Sequence, residues 1–376
     1  MGPGPHVCMF SDDFLPAATG VGVHLQLVAP ELVRRGYRVS LATTRRRGEP
    51  ERDEWRGVRL HRVATLKMFG FYQAMPSAAT LRALLETEAP DLVHHHYAGL
   101  MMRRCAAIAH GMGLRQVSTY HFGPEVLTQP LPMRPLRRLV RAEMVRVNNL
   151  CDLVISPSQK LVAGLRAQGI TAPITYITNP VAFGDAQQVA PAARDAAFVV
   201  LYAGRLGHEK NIGLLISAFG LLLKHQPDAL LWIAGKGPEE AALRAQTQTL
   251  GLTGRIRFLG FLDHATLAGH YQACDVFVLP SVQEVQPLVA MEAMWFGRPV
   301  IVTQAIAAAE EMVDPGVNGY IVDPNRADDL AARLAELAAQ PALRQAMGRA
   351  GLARAQAFRP STMVDALDTA YRRLLD

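Results

Sequence analysis

The most constraining feature of this chain is a strand–loop–helix–strand pattern over residues 276–302. It begins with VFVLP, a short apolar and β-branched run that is typical of a buried parallel strand. A polar loop, SVQEVQ, follows, and Pro287 suits the first position of a helix, where its missing N–H would be unpaired in any case. Gly297 then indicates the end of that helix. A parallel strand that leads into a helix N-terminus is where α/β sheets bind phosphorylated ligands, so the pattern predicts such a site.

Two carboxylates in this stretch are candidate ligand-binding residues. Glu284 lies in the loop before the helix, from which an acid can reach a ligand at the sheet edge. Glu292 lies more than one turn inside the helix, amid Leu288, Met291 and Met294. Those apolar neighbours are an unfavourable setting for a merely solvated charge.

The order of apolar runs predicts two α/β domains. HVCMFS and YRVSLAT are predicted strands on either side of an amphipathic helix, and this rhythm indicates a parallel sheet with helices on both faces. The rhythm restarts at AFVVLYAGRL, and 376 residues suit two domains. The predicted segments are an N-terminal domain over 1–181, a linker over 182–196, a C-terminal domain over 197–358, and a last helix over 359–376 that packs back towards the N-terminal domain.

Composition favours a cytoplasmic protein with anionic partners. The four cysteines show no metal or disulfide spacing, so buried reduced thiols are expected. The first residues lack the basic segment of a signal peptide, and no apolar run reaches the ~20 residues that cross a bilayer. A net charge of +6 fits nucleotides or phospholipids. Nucleic acid is not an expected partner, because no nucleic-acid-binding motif is present.

The N-terminal half offers glycines and histidines at predicted strand ends. Gly20 and Gly22 follow the first strand, where they could let a backbone approach an anion at a helix N-terminus, although an ordinary tight turn explains the pattern better. His121 ends a strand and is expected to face the cleft between the domains.

A second histidine group lies in DLVHHHYAG, in which His94 and His96 share one face of a strand. Bonding to the backbone or to a ligand is the favoured interpretation of these histidines. A metal site is disfavoured, because no carboxylate or cysteine has ligand spacing around them.

A basic segment follows in PEVLTQPLPMRPLRRLVRAEMVRV. Cations beside apolar residues at helical spacing are what an interfacial membrane helix needs, and an ordinary amphipathic helix with a solvated face explains the pattern equally well. The candidate membrane or acceptor residues are Arg134, Arg137, Arg138 and Arg141.

Arg205 and Lys210 lie just after a predicted strand, in GRLGHEKNI. Two cations in one loop can converge on a diphosphate, since arginine offers a bidentate fork and lysine a point charge. Surface solvation explains this pair alone equally well.

Taken together, these motifs resemble the retaining glycosyltransferases of family 4, which have the GT-B fold. The glutamate stretch matches the pattern E-x-F/Q-G-L-x-x-x-E-A, except that Pro287 replaces a glycine and Ala307-Ala308 replaces a later Gly-Gly pair. GR-x-x-x-x-K-N, AGKGP, FLG, the Gly-x-Gly pair, D-L-V-H-x-H, T-x-H and Asn179-Pro180 also recur in the family order. The resemblance covers residues 6–376 and implies two Rossmann-like parallel α/β domains facing across a cleft.

The resemblance also implies roles for individual residues. Arg205 and Lys210 would hold the diphosphate of a nucleotide-sugar, Glu284 would contact its sugar, and Glu292 would bind the ribose hydroxyls. His121 would line the reaction centre, and the implied catalytic residues are therefore Glu284, His121, Arg205 and Lys210. Phe261 and Gly260 would border the base. The implied donor-binding set is completed by Gly20, Gly22, Gly204, Gly235, Pro287, Leu288 and Val289.

The expected reaction is transfer of a hexose from a UDP- or GDP-linked sugar to a hydroxyl acceptor, with retention of configuration. No D-x-D metal motif is present, so we expect no metal and no cofactor. Arg205, Lys210 and a helix dipole would then stabilise the leaving diphosphate, and that phosphate would accept the proton of the acceptor.

The residues alone do not determine which acceptor receives the sugar. TYHFGPEVLTQPLP, the basic segment and E-x-Q resemble the diacylglycerol glucosyltransferases of the family, which implies a lipid acceptor and peripheral contact with the inner face of an anionic membrane. The alternatives are a soluble or polyprenyl-linked acceptor, or a GT-B protein that binds a sugar nucleotide without turnover. A Rossmann dehydrogenase is disfavoured because G-x-G-x-x-G is absent.

Overall fold

The computed structural model describes residues 4–15, 19–68, 71–96, 99–124, 135–183 and 189–376. The chain forms two compact units, Met1–Pro180 with Pro360–Asp376 (unit 1) and Val181–Arg359 (unit 2). Each unit is built on a largely parallel sheet, as the alternating apolar runs predicted.

The main sheet of unit 1 is formed by short strands whose central members are completely buried. The strands described in this unit are β1 (His6–Phe10), β2 (Arg38–Thr44), β3 (Arg52–Trp55), β4 (Val58–Val63), β5 (Thr65–Met68), β6 (Phe71–Ala74), β7 (Leu92–His95), β8 (Arg115–Thr119), β9 (Leu153–Ser156) and β10 (Ile174–Tyr176). The sheet order is β10-β9-β8-β7-β1-β2-β4-β3, and β5 with β6 forms a separate antiparallel pair. β3 pairs antiparallel with β4 at the edge, an arrangement that the sequence pattern did not predict. The order reverses at β1, which pairs in parallel with both β2 and β7.

Helices cover this sheet. Those of its first 180 residues within the described ranges are α1 (Gly20–Arg34), α2 (Ala78–Glu88), α3 (Leu100–Gly111), α4 (Arg137–Asn148) and α5 (Gln159–Ala167). α1 buries Leu25, Val28 and Leu32 at helical spacing against β1 and β2, which is the stripe expected of a core-facing helix.

Unit 2 has a wholly parallel sheet that also reverses its strand order. Its strands are β11 (Phe198–Ala203), β12 (Ala229–Ala234), β13 (Ile256–Gly260), β14 (Val276–Leu279), β15 (Val300–Thr303) and β16 (Gly319–Val322). The order is β13-β12-β11-β14-β15-β16, so the chain moves outward from β11 on one side and then returns to β14 on the other. Ligands of such sheets bind at the carboxyl ends of the strands where the order reverses.

Single residues divide two helical stretches of unit 2. The helices are α6 (Ile212–Leu222), α7 (Glu240–Thr249), α8 (His264–Ala273), α9 (Leu288–Trp295), α10 (Ala309–Met312), α11 (Ala327–Ala339) and α12 (Pro341–Ala355). The segment GHEKNIGLLISAFGLLLKH is not one helix, because Asn211 takes a left-handed conformation (φ 51°) between a 3₁₀ turn and α6. Pro341 likewise starts α12 rather than continuing α11, since proline has no N–H for an interior helical bond.

The last helix, α13 (Pro360–Leu375), belongs to unit 1. It packs on α1 and buries Met363, Val364, Leu367 and Tyr371. The Tyr371 hydroxyl lies 2.5 Å from Nδ1 of His94 at the end of β7. The C-terminus is thereby attached to the central strands of this sheet.

The predicted linker, residues 182–196, is described in part. Residues 184–188 lie outside the described ranges, and residues 189–196 belong to unit 2. The N–H of Ala192 donates to the carbonyl of Gly269 over 2.9 Å, and a Cβ at Gly269 would come within 2.8 Å of the Ala190 carbonyl oxygen. This segment is therefore fitted closely to α8.

All four cysteines are free and buried, as the sequence predicted. Within the described ranges, no helix combines the length and the apolarity that a membrane crossing requires.

Candidate functional site

The carboxyl ends of β11 and β14 flank the reversal of strand order in unit 2. Arg205 and Lys210 lie in the loop after β11, and Glu284 lies in the loop after β14. The ammonium of Lys210 contacts Oε1 of Glu284, although 74 positions separate the two residues. The fold therefore brings together three of the four predicted catalytic residues at the place where α/β sheets bind ligands.

Arg205 completes a small cluster of charges in these loops. Its Nη2 lies 2.5 Å from Oε1 of Glu209, and one-third of its side chain remains exposed (33%). Burial lowers the pKa of Lys210 to about 8, while the nearby carboxylate of Glu209 opposes that shift. Lys210 is consequently still cationic at neutral pH, and both cations lie where an incoming anion can exchange with the carboxylates.

The predicted donor glycines shape the backbone of this site. The N–H of Gly204 donates to Ala234 over 3.0 Å, and that of Gly235 donates to Gly260 over 2.7 Å. Gly235 has φ 139°, and a Cβ there would stand 1.8 Å from the Gly204 carbonyl oxygen, so only glycine fits. These two bonds join the carboxyl ends of β11, β12 and β13, which are neighbours in the sheet. Phe261, which follows Gly260, is 61% exposed.

Pro287 is one position further from the helix than the sequence predicted. With φ −77° and ψ 118° it is the N-cap of α9, and the helix begins at Leu288. The extended ψ of Pro287 keeps it outside the helix. The N–H of Ala290 bonds to the Pro287 carbonyl over 3.3 Å. The N–H groups of Leu288 and Val289 belong to the first turn, which has no acceptors inside the helix.

Glu292 is buried in α9, with 5% exposure. The Tyr271 hydroxyl donates to its Oε2 over 2.9 Å, and Nε2 of His264 lies 3.9 Å from its Oε1. Burial raises the pKa of Glu292 to about 7, and the bond from Tyr271 opposes that shift. Tyr271 is therefore a specific partner of Glu292 in this apolar setting.

In unit 1, His121 lies beside two other imidazoles at the carboxyl ends of β7 and β8. His96 Nδ1 is 3.2 Å from His121 Nε2, and one ring nitrogen each of His24, His96 and His121 lies within 4.8 Å of the other two. His24 Nδ1 is also 3.0 Å from Oδ1 of Asn179. Burial lowers the pKa of His24 to about 4 and the pKa values of His96 and His121 well below 6.5. All three rings are accordingly neutral at pH 7.

Sequence reasoning missed this histidine cluster. It considered only the neighbours of His94 and His96 in the chain, whereas the partners come from α1 and from the end of β8. The other two histidines of the group bond to side chains, His94 to Tyr371 and Thr119 and His95 to Gln116, rather than to the backbone or a ligand. Two features of the sequence could have indicated the cluster: His121 lies at a strand end, and His24 lies near the start of a helix.

Gly20 and Gly22 do not form the predicted loop but lie in the first turn of α1. The helix begins three residues earlier than its apolar pattern because a small residue is tolerated there as well as in a turn. Gly22 donates its N–H to Oδ2 of Asp13 over 3.0 Å, and space around Gly20 is open. Burial raises the pKa of Asp13 to about 6 and that of Asp12 to about 8.

The basic segment forms α4 on the surface of unit 1. Arg137, Arg138 and Arg141 are exposed, and Leu139 between them is 66% exposed. The second half of the helix buries Met144 and Val147. Arg134 lies outside the described residues.

Comparison with known families agrees with this architecture. Residues 18–183 match the family described as Glycosyltransferase Family 4, and residues 185–354 match the family described as Glycosyl transferases group 1. Two such units, with a charged cluster at the strand reversal of the second, define a glycosyltransferase of the GT-B fold. The chain belongs to the family 4 type of these enzymes, which confirms the predicted fold and enzyme class.

Individual relatives cover most of the chain. D-inositol 3-phosphate glycosyltransferase of Segniliparus rotundus is 27% identical over 95% of this chain and 85% of that protein. Alpha-monoglucosyldiacylglycerol synthase of Streptococcus pneumoniae is 23% identical over 78% of this chain and 70% of that protein. Anabaena HepE, solved in complex with UDP-glucose, is similar in fold with a TM-score of 0.78 and 18% identity, covering 98% of this chain and 99% of that one.

Proposed function

We propose that this protein is a retaining, metal-independent transferase that moves a hexose from a UDP- or GDP-linked sugar to a hydroxyl group, the acceptor being a lipid at a membrane surface. The observation that carries the proposal is the contact of Lys210 with Glu284, with Arg205 beside it, at the strand reversal of unit 2. A site of this kind binds a diphosphate and presents a carboxylate to the group attached to it.

The donor diphosphate would lie between the two cations and the start of α9. Arg205 and Lys210 are at present paired with Glu209 and Glu284, so an incoming diphosphate would replace carboxylates as their partner. The N–H groups of Leu288 and Val289 add the positive end of a helix dipole. The UDP-glucose complex of the structurally similar Anabaena protein supports a donor of this class.

The nucleoside would be held by buried groups of the same unit. Tyr271 orients one oxygen of Glu292, which leaves the other oxygen for ribose hydroxyls. The exposed ring of Phe261 would border the base, beside the backbone of Gly260.

Two fixed cations and a helix N-terminus would stabilise the leaving diphosphate without a metal ion. Such preorganised charges act where negative charge develops, which is the effective form of electrostatic catalysis. No described residue is an obvious nucleophile for the second face of the sugar, so the leaving phosphate would accept the proton of the acceptor. Retention and the contact of His121 with the donor sugar rest on the family resemblance.

The lipid acceptor is supported by α4. Its first turns expose three arginines and a leucine, a combination that suits the boundary of an anionic membrane. The diacylglycerol-modifying relative points the same way. The D-inositol 3-phosphate transferase, which matches more of the chain, favours a soluble phosphorylated polyol as the second candidate.

An acceptor competition decides between these candidates. The enzyme is given UDP-glucose or GDP-mannose together with diacylglycerol in phosphatidylglycerol vesicles and with inositol 3-phosphate in solution, and the products are identified by mass spectrometry. A glycolipid product supports the proposal. Transfer to inositol 3-phosphate alone would replace the lipid with the soluble acceptor, and absence of transfer from any tested donor to any acceptor would reject the proposed reaction.

The membrane contact has its own test in vesicle flotation. The triple variant Arg137→Ala, Arg138→Ala, Arg141→Ala should lose on the order of 1 kcal/mol of binding per arginine on anionic vesicles. The control variant Arg255→Ala, Arg257→Ala, Arg326→Ala removes the same charge from exposed arginines of unit 2 and should float like the unaltered protein. Equal losses of vesicle binding in both variants would show that net charge, and not the position of the arginines on α4, determines the binding.

A further inference from the structure

The histidine cluster of unit 1 has the composition of a metal site. His24 is 1% exposed and His96 is 0% exposed, and each comes from a different element of the unit. The ring centroids of His24 and His121 lie 4.8 Å apart, edge to face, and those of His96 and His121 lie 5.5 Å apart in a stack. The three side chains therefore surround one small volume at the ends of β7 and β8.

The hydrogen bonds of the cluster leave lone pairs available. The Oδ1 of Asn179 can only accept, so Nδ1 of His24 carries the hydrogen and its Nε2 carries a lone pair. That Nε2 has no hydrogen-bond partner among the described residues. His96 and His121 share a single hydrogen between Nδ1 and Nε2 at 3.2 Å. A buried ring nitrogen without a partner is costly, and an ion would supply the missing partner.

Asn179, which bonds to Nδ1 of His24, is the kind of group that orients a metal-binding histidine. Ligating histidines almost always donate their other ring N–H to a carbonyl or carboxylate oxygen, which fixes the tautomer. Asn179 does this for His24. Oε1 of Gln116 fixes the tautomer of His95 in the same way, but His95 does not belong to the group of ring nitrogens that lie within 4.8 Å of one another. His94 uses both of its ring nitrogens to bond to Tyr371 and Thr119.

We propose that His24, His96 and His121 form a three-imidazole site for a borderline divalent transition ion such as Zn²⁺, and that an ion bound there inhibits sugar transfer by holding His121. Imidazole ligands select zinc, copper or nickel and not magnesium or calcium. Zinc needs ring nitrogens at about 2.0–2.1 Å, so the three rings must close from their present separation of up to 4.8 Å. The fourth coordination position would be taken by water.

The two parts of this inference depend differently on the proposed function. Binding of the ion follows from the ring geometry alone. Inhibition rests on the proposed function, because it requires that His121 contact the donor sugar during transfer.

Binding is tested on the full chain after treatment with a chelator. Co²⁺ is titrated in and the visible absorption bands of four-coordinate cobalt are recorded, and Zn²⁺ affinity is then measured by competition with a chromogenic chelator. One ion should bind per chain, and His24→Gln and His121→Gln should each weaken Zn²⁺ binding at least a hundredfold. His95→Gln is the matched control, a buried histidine from the same strand end that should retain wild-type affinity.

The two histidine variants keep the test decisive if one fails to fold. His121 is the most exposed of the three rings, so its replacement disturbs the core least. Circular dichroism and thermal midpoints identify a variant that has unfolded. Wild-type protein without the cobalt bands, or folded His24→Gln and His121→Gln proteins with unchanged affinity, would overturn the site.

Inhibition is tested by titrating Zn²⁺ into the transfer reaction. Saturating Zn²⁺ should lower the rate of the wild-type enzyme at least tenfold, and it should lower the remaining rate of His24→Gln less than twofold. If the ion binds and the wild-type rate is unchanged, the inhibitory role is overturned, while the proposed metal site still stands. If no donor gives turnover, the proposed function fails while the cobalt spectrum still decides the site.

Discussion

The two units carry different chemistry at equivalent places. In unit 2, the strand ends at the reversal of order hold charged groups, with Arg205 paired to Glu209 and Lys210 to Glu284. In unit 1, the corresponding strand ends hold groups that burial makes neutral. Burial lowers the pKa of His24 to about 4 and raises that of Asp12 to about 8.

The difference suits the two units to ligands of different charge. Partly exposed ion pairs can exchange a carboxylate for a phosphate at little cost, whereas buried neutral groups favour uncharged hydroxyls or, through imidazole lone pairs, a transition ion. We therefore assign the anionic donor to unit 2 and expect unit 1 to recognise uncharged groups. The predictions that follow alter one side of this contrast at a time.

The largest expected effect comes from Lys210→Ala. Removal of one preorganised charge at a developing oxyanion costs about 3 to 4 kcal/mol, so turnover should fall roughly a hundredfold to a thousandfold. Steady-state transfer rates measure the change. Lys224→Ala removes an exposed lysine from the end of α6 and should leave the rate within twofold. Comparable losses in both variants would contradict a specific role for Lys210.

The second prediction concerns the backbone that supports the charges. Gly235→Ala places a Cβ against the Gly204 carbonyl in a positive-φ conformation and should destabilise unit 2 by about 3 kcal/mol. Gly251 also has a positive φ (69°) but lies in open space, so Gly251→Ala should cost about 1 kcal/mol. Urea unfolding midpoints of the two variants give the comparison, and equal midpoints would show that the strand ends are not packed as described.

The third prediction separates the buried acid of unit 2 from its exposed charges. The pKa of Glu292 is raised in the folded protein to about 7. The protonated carboxyl is therefore favoured by folding, and its contribution is complete below the unfolded pKa and is lost as pH rises through about 7. Relative to Glu292→Gln, the unaltered protein should lose roughly 3 kcal/mol between pH 4.5 and 7.5. Thermal midpoints of both proteins over this range are the measurement, and parallel curves would exclude a raised pKa.

The smallest expected effect concerns the buried neutral groups of unit 1. Tyr371→Phe removes the hydroxyl that lies against His94 and should destabilise unit 1 by about 1 kcal/mol, the usual net worth of a buried hydrogen bond. Tyr176→Phe alters a residue of β10 that is 38% exposed and should cost less than about 0.5 kcal/mol. Thermal unfolding compares the stability of the two variants. A larger loss of stability for Tyr176→Phe would contradict the conclusion that Tyr371 attaches α13 to the sheet of unit 1.

Local patterns predicted the elements of this protein better than its contacts. VFVLP and the strand before Arg205 are unbroken apolar runs, and the fold that such runs favour is confirmed. The left-handed Asn211 and the N-cap position of Pro287 were missed, because periodicity does not report single backbone angles. Three-dimensional clusters were the hardest to foresee: nothing in the spacing of His24 from His121 indicates that their rings meet. The charged cluster was easier, since each of its members follows a recognisable strand.

The most direct test of the central idea is the transfer reaction run in excess chelator with its product examined by proton NMR. If protein cations alone stabilise the diphosphate, turnover persists at an undiminished rate and the product keeps the anomeric configuration of the donor. Loss of turnover that Mg²⁺ or Mn²⁺ restores, or a product of inverted configuration, would contradict the account.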